Sequence, residues 1–324
     1  MLQFLGLEMP MLLMALSAVF TFGAVILALK LFKNKLPVDG GRDFAFNGKL
    51  SKGKQRGAGI VFICVFIISS LIFIKLSVEL GMYYALIFLG MLSGYLDDAS
   101  KVPWGEYKKG AIDLVICLLT SAAFVWKNPE LLSVNFGFFD LKLHWAVFLV
   151  ISTVFLWMMI NATNCSDGID GFCGSLSVNS IIFIILTAGA LGTGETTKIT
   201  SLGAIMIFAI IAYLWYNAEP STMMMGDAGS RAIGLFLGII VLKSGNALLA
   251  IPLCFILLLD GLIGIFKVSV TRFLKIKILK NIRTPLHDHF RKNKGWSNTQ
   301  TIYRLNIIQA LISFVVYMVV RGLA

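Results

Sequence analysis

The sequence predicts an all-α integral membrane protein with about ten transmembrane helices, both termini on the outer side and the active site at the cytoplasmic face. Three observations carry this. Of 324 residues, 58% are hydrophobic and only 14% charged, with a mean hydropathy of +0.85; soluble domains are about half apolar and about a quarter charged. The apolar residues fall into ten runs near the ~20 residues that a membrane helix needs. The basic residues fall mostly on one side of those runs.

In chain order, the first run, 9–31, follows no basic n-region and continues to about Leu31, so it reads as a span and not as a cleaved signal peptide. A basic segment leads to runs 57–76 and 82–96, the latter closing on "GYLDDASK". Run 110–126 follows. Run 143–161 opens on His144 and Trp145, an interfacial pair, and closes on "NATNCSDGIDG". Runs 172–192 and 200–216 precede "WYNAEPSTMMMGDAGS". Runs 230–246 and 247–274 are separated only by "KSGNA", so a count of nine or eleven is also compatible. "RTPLHDHFRKNKGW" precedes the last run, 302–322. No long soluble linker, low-complexity tract or repeat divides the chain, so residues 1–324 read as one domain. The five cysteines form no CxxC pair and read as free thiols.

Lys and Arg set the orientation. Segment 30–56 holds eight of the 28, 97–110 three, 217–231 one and 267–304 ten, leaving six elsewhere. This asymmetry places the odd-to-even loops in the cytoplasm. It also accounts for the net charge of +11 without nucleic acid. The four polar stretches all fall on that basic side.

Each stretch has a bland reading beside a functional one. Asp97 and Asp98 are adjacent, so on a helix end they point about 100° apart. Negative charge is disfavoured at a helix C-terminus, and a divalent metal or Lys101 would compensate it. In "NCSDGIDG", Asp167 and Asp170 share a face if the segment is helical. The bland alternative is an Asx-rich turn capping the next span. "MGDAGS" is either an Asp N-cap or a turn offering backbone N–H groups to an anion. In "PLHDHF", His287 and His289 sit among Arg283, Arg291, Lys292 and Lys294. That pattern suits phosphate or an anionic lipid surface better than zinc. An oxygen-rich, thiolate-free site suits Mg²⁺ or Mn²⁺, usually alongside substrate phosphates. A transporter would instead place carboxylates mid-span, and Asp260 in "LLLDGLIG" is the one that fits that picture.

Taken together, "DDASK", "NATNCSDGIDG", "MGDAGS" and "PLHDHF" occur in the order found in the polyprenyl-phosphate N-acetylhexosamine-1-phosphate transferases, and the chain resembles that superfamily from about Pro37 to Ile308. "PLHDHFRKNKGW" and "YRLNIIQALI" resemble its phospho-N-acetylmuramoyl-pentapeptide transferase branch. The chain departs from that branch in four places. Asp288 stands where the branch has a middle His, and "GKQRGAG" (53–59) where it has G-T-P-T-M-G-G. Met224 replaces an aromatic residue, and loop 99–109 is shorter.

The resemblance implies transfer of phospho-N-acetylmuramoyl-pentapeptide from its UDP-linked form to undecaprenyl phosphate in a bacterial plasma membrane, with Mg²⁺ as cofactor, membrane lipid as surroundings and a homodimer as the assembly. The sister reaction, on UDP-N-acetylglucosamine for teichoic acid or another surface polymer, is the alternative. By resemblance, Asp227, Asp97 and Asp98 are metal and catalytic residues, and His287 is catalytic. Asn164, Asp167, Gly168, Asp170, Asn217, Met224, Gly226 and Lys52 line the nucleotide pocket. Lys101, Lys109 and His289 meet phosphate, with Lys108 a rival for Lys109.

Overall fold

The computed structural model describes residues 10–40, 52–100, 102, 104–135, 140–192 and 195–323. Its helices are α1 (Pro10–Phe32), α2 (Gly59–Phe73), α3 (Val78–Asp98), α4 (Glu106–Lys127), α5 (Trp145–Ser166), α6 (Phe172–Leu191), α7 (Thr196–Asn217), α8 (Gly226–Lys243), α9 (Ala250–Leu253), α10 (Phe255–Phe273), α11 (Leu286–Asn293) and α12 (Asn298–Leu323). A two-stranded antiparallel ribbon, β1 (Ser133–Asn135) with β2 (Asp140–Lys142), joins α4 to α5. Seven helices among the described residues are long and apolar enough to cross a membrane, or eight if the bent α9–α10 pair counts as one span. Large apolar side chains lie exposed along them, as at Leu118, Val150, Leu311 and Val315. Such faces would be a liability in water and suit a lipid surround.

Helix α8 is the axis of the bundle. Every residue in it except Asp227 is buried. Lipid tails are as apolar as leucine, so close helix packing relies on small residues that let backbones approach. Four contacts do this here. A Cβ on Gly59 would overlap the backbone of Gly229, and one on Gly94 would overlap that of Asp227. A Cβ on Gly234 would meet Ile160 Cα at 2.7 Å, and one on Gly238 would overlap the Leu156 side chain. Helices α2, α3 and α5 are thereby seated directly on α8. At the far end of α8 the buried Lys243 reaches Glu79 at 3.0 Å, Asn128 at 2.6 Å and Glu195 at 3.4 Å, tying it to α3, α4 and α7.

The expected straight span over 247–274 is not one helix. The chain bends by 91° between the segment ending at Leu253 and α10. A break inside a bundle leaves backbone groups without helical partners, and these must be satisfied from elsewhere. The buried Gln309 of α12 does this. Its amide donates to Pro252 O at 3.0 Å and Leu253 O at 3.1 Å, and its carbonyl accepts from Ile256 N at 2.8 Å. One glutamine therefore makes the bend tenable, and nothing in the local hydropathy marks it.

Replacing this side chain tests the account of the bend. Gln309→Leu should leave three buried backbone groups unpaired, at about 1–3 kcal/mol each. The expected result is a clearly lower unfolding temperature in detergent; an unchanged one would mean the bend is held by other contacts.

Candidate active site

The four polar stretches meet at one end of the bundle. The two carboxylates that close α3 diverge as adjacent positions on a helix must. Asp97 accepts from Trp104 N at 2.8 Å and pairs with Lys109. Asp98 turns to the N-terminus of α8, accepting from Ala228 N at 3.3 Å, and lies 2.8 Å from Arg56. The anion-ready helix N-terminus expected at "MGDAGS" is thus occupied by the protein's own carboxylate, as unpaired N–H groups and the helix dipole favour. Gly226 makes room for it: its φ is +67°, and a Cβ there would strike the Asp98 carboxylate.

Asp227 stands in the first turn of α8, ahead of the apolar stretch. Arg231 donates to it at 3.0 Å, Lys109 lies at 3.4 Å and Arg56 at 3.6 Å. Burial alone would raise its pKa. Arg231, Lys109 and Arg56 outweigh that and hold the carboxyl below the usual carboxylate range. Three cations therefore interleave with Asp97, Asp98 and Asp227. Lys109 and not Lys108 enters the cluster; Lys108 lies over the Trp104 ring at 3.6 Å.

The stretch after α5 is a turn and not a helix, so Asp167 and Asp170 do not share a helix face. Asp167 is the residue that closes α5. Asp170 accepts from Ser221 at 2.6 Å and from Lys54 at 2.9 Å. The expected Asx cap of the following helix is also absent: Gly171, at φ +84°, precedes α6 without a side-chain cap bond. Instead Asn217 accepts from Gly171 N at 2.7 Å and donates to Met223 O at 2.8 Å, bracing two turns at once. Asn164 donates to Ser230 at 3.1 Å, linking α5 to α8 beside Asp227. Lys52 is exposed, and it is Lys54, two residues on, that reaches this pocket. Lys101 lies outside the described residues.

"GKQRGAG" supplies both Lys54 and Arg56. Its backbone pairs with the segment before α8: Met224 N donates to Gln55 O at 2.8 Å, and Ala58 N to Met224 O at 3.0 Å. That pairing sets Arg56 between Asp98 and Asp227, while Met224 is half-buried and serves the pairing through its backbone.

His287 is buried at the start of α11. Its backbone N donates to Asp260 at 2.7 Å, and its Nδ1 lies 2.8 Å from the other Asp260 oxygen. The two contacts to one carboxyl group hold both the backbone and the ring of His287 in place. Nε2 then faces Gly168, where a Cβ would overlap it. Asp260, the mid-span carboxylate without an expected role, orients His287. His289 accepts from Arg283 N at 3.3 Å and lies farther out.

Among the described residues, no three His, Cys, Asp or Glu side chains converge to hold a metal in this arrangement. The donor chemistry nonetheless fits Mg²⁺. Carboxylates are hard oxygen ligands, and Asp98 and Asp227 lie together where α3 meets α8, both within reach of Arg56. Lys54, Arg56, Arg231, Asp113, Ser221 and Asp260 belong to the site but not to the residues expected from sequence. The only signal for two of them was that the altered glycine stretch had gained a Lys and an Arg.

A family model described as glycosyl transferase family 4 matches residues 80–245. A phospho-N-acetylmuramoyl-pentapeptide-transferase of Treponema pallidum (strain Nichols) is 37% identical over 321 residues, covering 91% of this chain and 84% of the relative. One from Dictyoglomus turgidum is 27% identical over 311 residues, covering 91% of this chain and 94% of the relative. One from Sulfurimonas denitrificans is 29% identical over 294 residues, covering 78% and 77%.

The contact between Gly226 and Asp98 can be tested by filling it. Gly226→Ala forces a left-handed Ala, at about 1–2 kcal/mol, and pushes the carboxylate off α8. Lower thermal stability is expected; full wild-type stability would contradict the close approach.

Proposed function

The chain belongs to the phospho-N-acetylmuramoyl-pentapeptide transferases, within glycosyl transferase family 4, and we infer that it moves phospho-N-acetylmuramoyl-pentapeptide from UDP to a polyprenyl phosphate, releasing UMP. An oxygen of the acceptor phosphate bonds to the β-phosphorus of the donor, and the bond from that phosphorus to the bridging oxygen breaks. UMP leaves with the electron pair. One pyrophosphate linkage replaces another, so the reaction is close to balanced.

The observation that carries this reading is the meeting of Asp97, Asp98 and Asp227 with Lys109, Arg56 and Arg231 beside Asn164 at the end of α5. Phosphoryl transfer depends chiefly on positioning and charge neutralisation. A phosphate monoester has its second pKa near ~6, so the acceptor is mostly a dianion at neutral pH and needs no strong base. Lys109 and Arg56 are set to offset its charge and that of the donor. Lys54, with Asp170 and Ser221, forms a polar end for the nucleotide. His287, oriented by Asp260, presents Nε2 beside the same turn. Asp227 and Asp98 would hold the Mg²⁺, which when bound neutralises phosphate charge.

The finer features are proposals of the same reading. Ten spans are supported by the match of each apolar run to a helix, with α9 and α10 as one bent span. The basic loops favour outer termini and a cytoplasmic site in a bacterial inner membrane. Undecaprenyl phosphate as acceptor and a homodimer follow from the resemblance.

Purified protein supplied with undecaprenyl phosphate, Mg²⁺ and each UDP-sugar in turn tests the reading. UMP release with the muramoyl-pentapeptide donor is expected, and Asp227→Asn should lower kcat by roughly 10²–10³. Release only with UDP-N-acetylglucosamine would overturn the donor assignment, and an active Asp227→Asn would remove that residue from the chemistry.

A further inference from the structure

Arg231 lies outside all four motifs, yet it is the most deeply buried cation of the cluster, at 2% exposure. It sits one turn beyond Asp227 on α8. One guanidinium nitrogen donates to Asp227 Oδ2 at 3.0 Å, and the other to Asp113 Oδ1 at 3.1 Å. Asp113 is itself buried, on α4. A buried ion pair is weak evidence for stability, because well-packed apolar side chains of similar volume often serve as well or better. The charge at this position therefore calls for a reason other than holding α4 against α8.

The reason is legible in the cavity that the pair lines. It has a volume of about 520 Å³ and lies between α4, α5 and α10. Near Asp227 its wall is polar: Lys109, Asp113, Arg231, Asn161 and Asn164. Along α10 the wall is mixed: Ile265, Val268 and Phe273 give it an apolar stretch, with Ser269 and Arg272 between them. Lys54, Asp170 and Ser221, at the nucleotide end, do not line it. Cations beside Asp227 that give way to hydrocarbon match an anionic head on an apolar tail. A planar guanidinium with five N–H donors suits phosphate oxygens better than an ammonium does.

We propose that Arg231 is the docking cation for the phosphate monoester of the lipid acceptor, and that Asp113 is the positioning residue that holds its guanidinium between the cavity and Asp227. The inference rests on the phosphosugar-transfer reading and adds a residue that discriminates acceptor from donor. Arg231 screens the incoming dianion from the Asp227 carboxylate, and Asp113 holds the guanidinium at the cavity wall, where its remaining N–H donors meet the phosphate. Losing the fork should weaken the acceptor and leave the nucleotide unaffected.

The test is binding of undecaprenyl phosphate to the detergent-purified full chain without donor, together with separate KM values for acceptor and donor. Wild type, Arg231→Leu, Arg231→Lys and Asp113→Asn are compared. Arg231→Leu should weaken acceptor binding and raise acceptor KM by about tenfold or more, as loss of a charge-assisted contact does, with donor KM within about twofold. Arg231→Lys keeps the charge without the fork and should fall between, and Asp113→Asn should shift the acceptor values alone. Unfolding temperatures separate a docking role from a structural one. The proposal is overturned by a folded Arg231→Leu protein that binds acceptor as wild type does, by a rise in donor KM instead, or by thermal destabilisation that Arg231→Lys fully repairs with no change in acceptor affinity. Failure of the transfer reading would show separately, as no UMP release by wild type, while the binding measurement still decides the role of Arg231.

Discussion

Helix α8 is buried along its length because glycines remove the side chains that would hold its neighbours away. Gly59 meets Gly229, Gly94 meets Asp227, and Gly234 and Gly238 receive α5. In lipid this closeness cannot come from the hydrophobic effect between helices, so it depends on packing and on small residues. Its consequence is chemical. The last turn of α3 is brought against the first turn of α8, and Asp97, Asp98 and Asp227 come to share one set of cations. At the other end of α8, Lys243 ties α3, α4 and α7 together, so both ends of the axis are fixed by charge.

Three carboxylates so close would repel one another if the site held no cations. Lys109 bridges Asp97 and Asp227, Arg56 bridges Asp98 and Asp227, and Arg231 bridges Asp227 and Asp113. Such a network is costly to desolvate and is poor evidence of added stability. For the proposed transfer its value lies in preorganisation: charges held in place before phosphates arrive need little reorientation as they react. The Asp260–His287 pair is built the same way. A carboxylate from inside an apolar helix fixes the ring of a histidine that would otherwise rotate.

Much of this was readable in the chain. The apolar runs coincide with the helices to within a few residues, and the four polar stretches do meet at one end of the bundle. The length of an apolar run and the polar cluster at its end are local properties of the chain, and these features depend on them. The bend after Leu253 was not readable, because it depends on Gln309, more than fifty residues away. Lys54, Arg56, Arg231 and Asp113 were missed for a related reason. Each is an ordinary basic or acidic residue in sequence and gains its meaning from partners that the fold brings in, such as Asp170 for Lys54, Asp98 for Arg56 and Asp113 for Arg231. The turn at 167–171 looked able to be helical or self-capping, but Asn217, Lys54 and Ser221 decide its shape from outside.

The central claim is that the backbone contact of Gly94 with Asp227 and Ala228 assembles the reacting centre. The most direct measurement is kcat of Gly94→Val protein that still inserts into the membrane and elutes as a monodisperse species in detergent. A Cβ at this position would meet Ala228 N at 2.6 Å, and its three nearest neighbours are all backbone atoms of Asp227 and Ala228. The expected result is that α3 is displaced, that Asp97 and Asp98 part from Asp227, and that turnover is lost while the bundle persists. Wild-type turnover in a folded Gly94→Val protein would contradict it.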